Sequence, residues 1–116
     1  MEDIKIIKVK ISSDELKIIA KERFGDMVKA VVDIEKGIMV VGGELHSDEE
    51  AVLIESGSRQ RNLWGINIYP DKSGDEWIEF DSMINLRPSQ GNRSRDVDDP
   101  EARRKIKEII SRLVKQ

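Results

Sequence analysis

The sequence predicts an α+β domain in which a mostly antiparallel sheet of about five to six strands carries two helices on one face. Short runs rich in β-branched residues are separated by tight turns that contain glycine, which is typical of antiparallel strands. Two segments with helical spacing, one near the N-terminus and one at the C-terminus, carry capping residues. A chain of 116 residues can bury one modest core, so we expect a single domain over residues 1–116.

The N-terminal part of the chain predicts a strand followed by a helix. Residues 4–11 are rich in isoleucine and valine and are interrupted by lysines, as in a strand with one polar face. In the helix that follows, Ser12 and Glu15 form a capping box, and Gly25 suits a left-handed residue at its end. Four apolar residues fall on one helical face and are expected in the core: Leu16, Ile19, Ala20 and Phe24.

Two hairpins are predicted in the middle of the chain. Residues 27–45 turn at 35–37, where Gly37 can supply a positive φ. Residues 51–70 turn at 56–58. Residues 48–55 could instead form a short helix capped by Ser47, but the strand is favoured because their apolar residues are consecutive rather than periodic.

A long strand and a second helix complete the predicted order β-α-β-β-β-β-β-α. The strand covers residues 76–87 and follows a turn at 71–75. The helix covers residues 98–116, with Asp98 or Asp99 as the cap and Pro100 in the first turn. Its apolar stripe is Ile106, Ile109, Ile110, Leu113 and Val114.

Composition and charge exclude several classes of protein. The net charge of −3 argues against general nucleic-acid binding, which usually needs a basic surface. The absence of cysteine excludes disulfides, thiolate metal sites and cysteine nucleophiles. The longest apolar runs have four residues, and the N-terminus lacks the apolar region of a signal peptide. We therefore expect a cytoplasmic protein that does not bind membranes.

The strand over residues 77–87 divides its side chains between two faces. The even positions form a plausible core face: Ile78, Phe80, Ser82, Ile84 and Leu86. The odd positions form a polar outer face: Trp77, Glu79, Asp81, Met83, Asn85 and Arg87. Pairing with the preceding strand, in which Trp64 is expected to be core, would place Tyr69 near Trp77, Asn67 near Glu79 and Gly65 near Asp81. Gly65 would then leave room for a ligand over Asp81, although such a face can equally be plain solvated surface.

The loop "RPSQGNRSR" over residues 87–95 extends this polar face. It holds three arginines, two carboxamides and two serines, with no acidic residue. Guanidinium groups match phosphate and carboxylate groups bidentately, so an anionic ligand is the best fit. Simple turn geometry is the alternative explanation for the serine, glycine, asparagine and proline. The predicted ligand-binding set is Arg87, Ser89, Gln90, Asn92, Arg93, Arg95, Asp81 and Asn85, and no cofactor is expected.

A metal site is a weaker alternative. In an extended segment, Glu44, His46 and Asp48 would alternate onto one face and could bind a divalent cation. Together with Asp81 they would suit a metal-dependent hydrolase or nuclease-like enzyme. His46 is the single histidine of the chain, so a site with two histidines is impossible. Since no phosphate-binding loop, nucleophile elbow or HExxH pattern is present, the sequence leaves enzyme activity open.

Three segments carry a resemblance to a known family: "GGELHSDEE", "LWGINIYP" and "FDSMINLRPSQGNRSR". They resemble a small prokaryotic family of single-domain proteins of unknown function. The resemblance covers nearly the whole chain and implies an intact domain. It implies no activity and no catalytic residues.

Three functions follow from these patterns. The first is a small binding module for an anionic small molecule or nucleic acid through residues 87–95. The second is the metal-dependent hydrolase. The third is a homo-oligomer, in which the arginine loop would reach the acidic segment 44–50 of a neighbouring chain.

Overall fold

A computed structural model describes residues 4–115 and confirms the α+β class. The described helices are α1 (Ser13–Arg23), α2 (His46–Glu55) and α3 (Pro100–Leu113). The described strands are β1 (Lys5–Ile7), β2 (Ile11–Ser12), β3 (Val28–Asp33), β4 (Ile38–Val41), β5 (Leu63–Ile68), β6 (Ile78–Glu79) and β7 (Val114–Lys115). Five of them form an antiparallel sheet in the order β1-β4-β3-β5-β6, and β2 pairs in parallel with β7. None of the helices within residues 4–115 is long and apolar enough to cross a membrane.

Both faces of the sheet are covered. One face packs against α1 and α3 in a single apolar cluster that includes Ala30, Val32, Ile66, Ile68, Leu16, Ile19, Ile106 and Ile110. The opposite face packs against α2 through a smaller cluster of Val31, Val40, Leu63 and Leu53. Helix α2 therefore covers part of the sheet face that was predicted to be polar and open to solvent.

The prediction of a strand over residues 48–55 is wrong, and the helical alternative is correct. Leu45, not Ser47, is the N-cap residue of α2, and it makes no side-chain capping hydrogen bond. Acidic residues in the first turn favour the helix by interacting with its dipole. Leu53 is fully buried whereas Ile54 is exposed, since a helix lying on a sheet needs only a narrow apolar contact. Gly57, with φ of 105°, follows the end of this helix rather than turning a hairpin.

The predicted strand over residues 76–87 is regular only at β6. Asn67 pairs with Glu79, and the Tyr69 N–H donates to the Trp77 carbonyl at 2.8 Å, as the predicted register requires. Beyond Asp81 the chain leaves the sheet ladder, because the Ser82 hydroxyl accepts from the Ile84 N–H and caps a short turn. The first predicted strand, residues 4–11, is likewise divided into β1 and β2.

The capping and turn residues were predictable from local sequence. Ser12 Oγ accepts from the Glu15 N–H at 3.1 Å, and Asp99 Oδ1 accepts from the Glu101 N–H at 3.0 Å. Gly25 and Gly37 adopt φ of 97° and 69°. The predicted apolar stripe of the C-terminal helix is buried, but its last residue, Val114, lies in β7 because α3 ends at Leu113. Trp64 is also buried. Phe24 was expected in the core but is 40% exposed, because α1 ends at the preceding residue. Gln116, within the predicted helix, lies outside the described residues.

Gly65 does not face Asp81, and the space above it is filled. A Cβ atom at this position would lie 2.6 Å from the Ser82 side chain and 3.1 Å from Cγ1 of Ile84. The glycine therefore permits close packing of residues 82–84 onto β5, and it leaves no room for a ligand there.

Gly65→Ala should lower the free energy of unfolding by about 1–3 kcal/mol, because the added methyl group overpacks this contact. Urea unfolding followed by tryptophan fluorescence measures the loss. In a Ser82→Gly background the closest contact is gone, so the same change should cost less. An equal loss in both backgrounds would show that packing against Ser82 is not the reason for glycine.

Candidate functional site

The side chains of Arg87 and Gln90, both in the predicted ligand-binding loop, form hydrogen bonds with backbone carbonyls elsewhere in the fold. The Arg87 guanidinium donates to the backbone carbonyls of Gln60 and Leu63 and stacks 4.1 Å from the Trp64 ring centre. Burial lowers the pKa of Arg87, and nearby Glu50 raises it. The Gln90 amide donates to the carbonyl of residue 61 at 3.1 Å. Both side chains tie the loop to the segment before β5.

Two buried asparagines of the predicted set also have structural partners. Asn92 is 3% exposed, and its Nδ2 donates to the carbonyls of Asn85 at 2.7 Å, Asp96 at 2.7 Å and Ser94 at 3.2 Å. Its Oδ1 accepts from the Asp98 N–H at 2.7 Å. The Asn85 side chain bonds to both backbone groups of Gly65. These amides satisfy backbone groups of β5 and of the irregular segment after β6, and they leave little capacity for a ligand.

The remaining members of the set differ in their surroundings. Arg95 Nε donates to Asp81 Oδ1 at 2.6 Å, so these two side chains form an ion pair. Ser89 and Arg93 are exposed, and their side chains make no hydrogen bond or ion pair with residues 4–115. The eight predicted residues thus do not form one binding surface. Asp81 and Arg95 line a cavity, whereas most of the other side chains form hydrogen bonds with the backbone of the fold.

That cavity, of about 170 Å³, lies where three parts of the chain meet. Lys29 comes from β3, on the sheet face that α2 covers, and pairs in register with Asn67. His46 and Ser47 are the first two residues of α2. Residues 81–84 and Arg95 come from the irregular segment after β6. The lining residues are Lys29, Leu45, His46, Ser47, Asp81, Ser82, Met83, Ile84 and Arg95.

His46 lines this cavity and has one ring nitrogen without a partner within residues 4–115. Its Nε2 lies 2.8 Å from the Ile66 carbonyl oxygen, which can only accept, so Nε2 carries the hydrogen. Nδ1 is then the lone-pair nitrogen, and no group within residues 4–115 donates to it. The residue is 8% exposed. A buried histidine that lines a cavity and has an unpartnered acceptor is suited to take a proton or a ligand.

The pKa of His46 is lowered, chiefly by burial. The hydrogen bond to the Ile66 carbonyl raises it, the charge of Lys29 lowers it, and Asp81 and Arg95 then act in opposite directions. The ring is therefore neutral at pH 7.

The start of α2, which lines the same cavity, presents unbonded N–H groups, while Asp48 and Glu49 in its first turn offset part of its positive charge. Leu45 supplies no side-chain acceptor, and its carbonyl already accepts from the N–H groups of Asp48 and Glu49. The N–H groups of His46 and Ser47 have no acceptor among the described residues. Unbonded N–H groups at a helix start attract anions. With Lys29 and Arg95 nearby, the cavity offers cationic and N–H donors around one neutral imidazole.

The predicted metal ligands do not converge. Glu44 is exposed and forms an ion pair with Arg23 at 3.4 Å. Because the segment is helical rather than extended, Asp48 does not share a face with His46 as predicted. Within residues 4–115 no group of three histidine, cysteine or acidic side chains could hold a metal ion. Of the four residues proposed for a hydrolase, His46 and Asp81 line the cavity.

Sequence reasoning missed Lys29, Ser47 and Ser82 as cavity residues. Lys29 is the polar residue in a run of valines and alanine, a pattern that by itself only indicates a strand. Ser47 drew attention only as a helix cap. Ser47 is next to His46 in the sequence, which could have suggested a shared site. That inference requires knowing that both residues begin a helix.

The fold and this cavity define a small α+β protein with a pocket built from cations, a helix start and one histidine. The chain belongs to the family described as "Protein of unknown function (DUF5674)", which it matches over residues 5–113. No curated protein and no solved structure matches the chain. The expected membership of a family of unknown function is confirmed, while its prokaryotic origin stays a prediction.

Asn92→Asp should lower the free energy of unfolding by about 2–4 kcal/mol, because a carboxylate would replace a donor that faces three carbonyl oxygens. Urea unfolding at neutral pH measures the effect. Asn62→Asp is the matched control, since the Asn62 side chain makes no hydrogen bond with residues 4–115. The control should change stability by no more than about 0.5 kcal/mol. Equal losses would contradict the structural role of Asn92.

Stability should fall as the pH drops below the ordinary pKa of histidine, and His46 should contribute to the fall. The pKa of His46 is lowered in the fold, so the unfolded chain binds more protons, and stability is lost between the unfolded and the folded pKa. Urea unfolding between about pH 7.5 and pH 5.5 tests this. His46→Gln keeps an amide donor for the Ile66 carbonyl and should lose less stability over that range. Parallel losses in both proteins would exclude His46 as the cause.

Proposed function

We propose that the protein is a small binding module for an anionic group, and that the group binds in the cavity formed by Lys29, His46, Ser47 and Arg95. The observation that carries the proposal is that Lys29, the Arg95–Asp81 ion pair and the uncapped start of α2 line one cavity. The anionic ligand predicted from sequence is kept. The proposed binding site is the cavity that Arg95 lines, instead of the whole 87–95 loop.

The size of the cavity favours a compact group. At about 170 Å³ the cavity is smaller than the roughly 300–1,000 Å³ of a typical small-molecule pocket. A phosphate or carboxylate group fits, and a nucleotide base with its sugar does not. This supports a small molecule or a single modified side chain rather than a continuous nucleic-acid strand.

The neutral imidazole favours an anion that still carries a proton. Nδ1 of His46 can only accept a hydrogen bond, while Lys29, Arg95 and the helix N–H groups only donate. A monoprotonated phosphate or phosphate ester satisfies both kinds of partner, because its P–OH group can donate to Nδ1. Sulfate, which is fully ionised at neutral pH, would leave Nδ1 facing an oxygen lone pair.

The rim of the cavity is apolar and exposed. Leu45 is 53% exposed and Met83 is 62% exposed. Both residues line the cavity, so whatever emerges from it meets apolar surface. The most consistent ligand is a phosphate ester whose remaining part is at least partly apolar.

Inorganic phosphate should bind more tightly than sulfate, and the binding should depend on Lys29 and Arg95. Lys29→Met and Arg95→Gln should each weaken phosphate binding by about tenfold to a hundredfold, as expected for losing a charge-assisted hydrogen bond. Calorimetric titration, with amide shifts of residues 46 and 47 in NMR spectra, measures affinity and location. Arg93→Gln removes an exposed arginine two positions from Arg95 and should leave the affinity unchanged. Equal weakening by all three variants, or no saturable binding, would contradict the proposal.

The structure bears differently on the hydrolase and on the homo-oligomer. The hydrolase hypothesis has lost its metal ligands, since Glu44 and Asp48 lie apart from the cavity. The homo-oligomer stays a prediction, and light scattering at low and high salt tests it. The single domain over residues 1–116 and the cytoplasmic location are also retained as predictions.

A further inference from the structure

The tautomer of His46 makes its free nitrogen a nucleophile as well as an acceptor. Because Nε2 donates to the Ile66 carbonyl, the lone pair on Nδ1 lies in the ring plane and no proton has to leave before it reacts. The histidine is more than nine-tenths buried, yet it lines the cavity. Burial keeps the ring neutral, and a neutral imidazole is the reactive form.

We propose that His46 is a phosphorylation site at which Nδ1 accepts a phosphoryl group from a small acyl phosphate or phosphoramidate. This inference rests on the proposed function, because it requires the cavity to receive a phosphate group. It adds a covalent step and names the chemical class of the donor.

The transfer needs no reactant other than the phosphoryl donor and His46. The Nδ1 lone pair attacks phosphorus, and a P–N bond forms while the bond from phosphorus to the donor breaks. An acyl phosphate releases a carboxylate, which leaves with the electron pair, and a phosphoramidate releases ammonia. The imidazole gains one positive charge, and Nε2 keeps its hydrogen toward the Ile66 carbonyl.

The charges around the ring suit this transfer. In phosphoryl transfer, negative charge is spread over the three equatorial oxygens of the transferred group. Lys29, Arg95 and the N–H groups of His46 and Ser47 lie around the same cavity and can stabilise that charge. The Ile66 carbonyl stabilises the positive charge that develops on the imidazole, because its hydrogen bond to Nε2 strengthens as that charge grows.

The same surroundings would slow hydrolysis of the product. Asp81 is the one carboxylate among the cavity residues, and its Oδ1 is bonded to Arg95 Nε. It is therefore poorly placed to act as a general base for hydrolysis. The result would be a phosphohistidine that persists long enough to pass its phosphoryl group to an acceptor at the apolar rim.

The test is to incubate the folded protein with phosphoramidate or acetyl phosphate and to follow the intact mass. The expected product carries one phosphoryl group that is lost in acid and kept in alkali, and peptide mapping places it on His46. Chemical donors also modify ordinary histidines, so the urea-unfolded chain is the reference. Since His46 is the single histidine, the folded protein should react about a hundredfold faster than the unfolded chain.

Variants separate the contributions of the cavity. His46→Gln should abolish the acid-labile product, and circular dichroism confirms that it is folded. Lys29→Met and Arg95→Gln should slow the reaction by about tenfold to a hundredfold, whereas Arg93→Gln should not. A folded protein that reacts no faster than the unfolded chain, or a product on another residue, would overturn the inference. Phosphate binding without transfer would refute this step alone, and absence of both would refute the proposed function as well.

Discussion

The side chain of Asn85 supplies hydrogen bonds to β5 where no neighbouring strand is present. The position of the cavity depends on these hydrogen bonds. Strand β6 ends at Glu79, so the backbone groups of Gly65 on that side of β5 have no strand partner. Asn85 Oδ1 accepts from the Gly65 N–H at 2.8 Å, and Nδ2 donates to the Gly65 carbonyl at 2.9 Å. Since Nδ2 also reaches the Arg95 carbonyl at 3.0 Å, one buried amide fixes both ends of the irregular segment. Buried backbone groups without partners are costly, which makes this arrangement specific.

The polar loop over residues 87–95 follows from the same requirement. A segment that leaves a sheet must still satisfy its own carbonyl and N–H groups, and the Asn92 side chain does this within the segment. The Arg87 side chain instead ties the segment to carbonyls at the start of β5 and just before it. The hydrogen-bonding capacity that suggests a ligand site in the sequence is thus largely structural. Arg95 is different, because its guanidinium is directed to Asp81 at the cavity rather than to backbone.

The cavity depends on contacts between distant parts of the chain. The N-terminus of α2 lies over the sheet where the Ile66 carbonyl fixes the tautomer of His46. The same burial that lowers the histidine pKa keeps Nδ1 unprotonated beside two cations. The protonation that would lower stability and the proposed phosphoryl transfer therefore involve the same atom, Nδ1 of His46. Protonating the free imidazole at low pH would cost stability, whereas an incoming phosphate group would compensate the charge that forms.

Local sequence determined the α+β class, the caps at Ser12 and Asp99, the turn at Gly37 and the pairing of Asn67 with Glu79. These features depend on residues close in the chain or on strict alternation. The helix over residues 46–55 was missed, because four consecutive apolar residues do not show which of them faces a sheet. The site was anticipated only in Asp81, Arg95 and His46, and these were assigned to two different sites. Only the tertiary structure joined them with Lys29, because their convergence comes from packing α2 and the segment held by Asn85 onto the same face of the sheet.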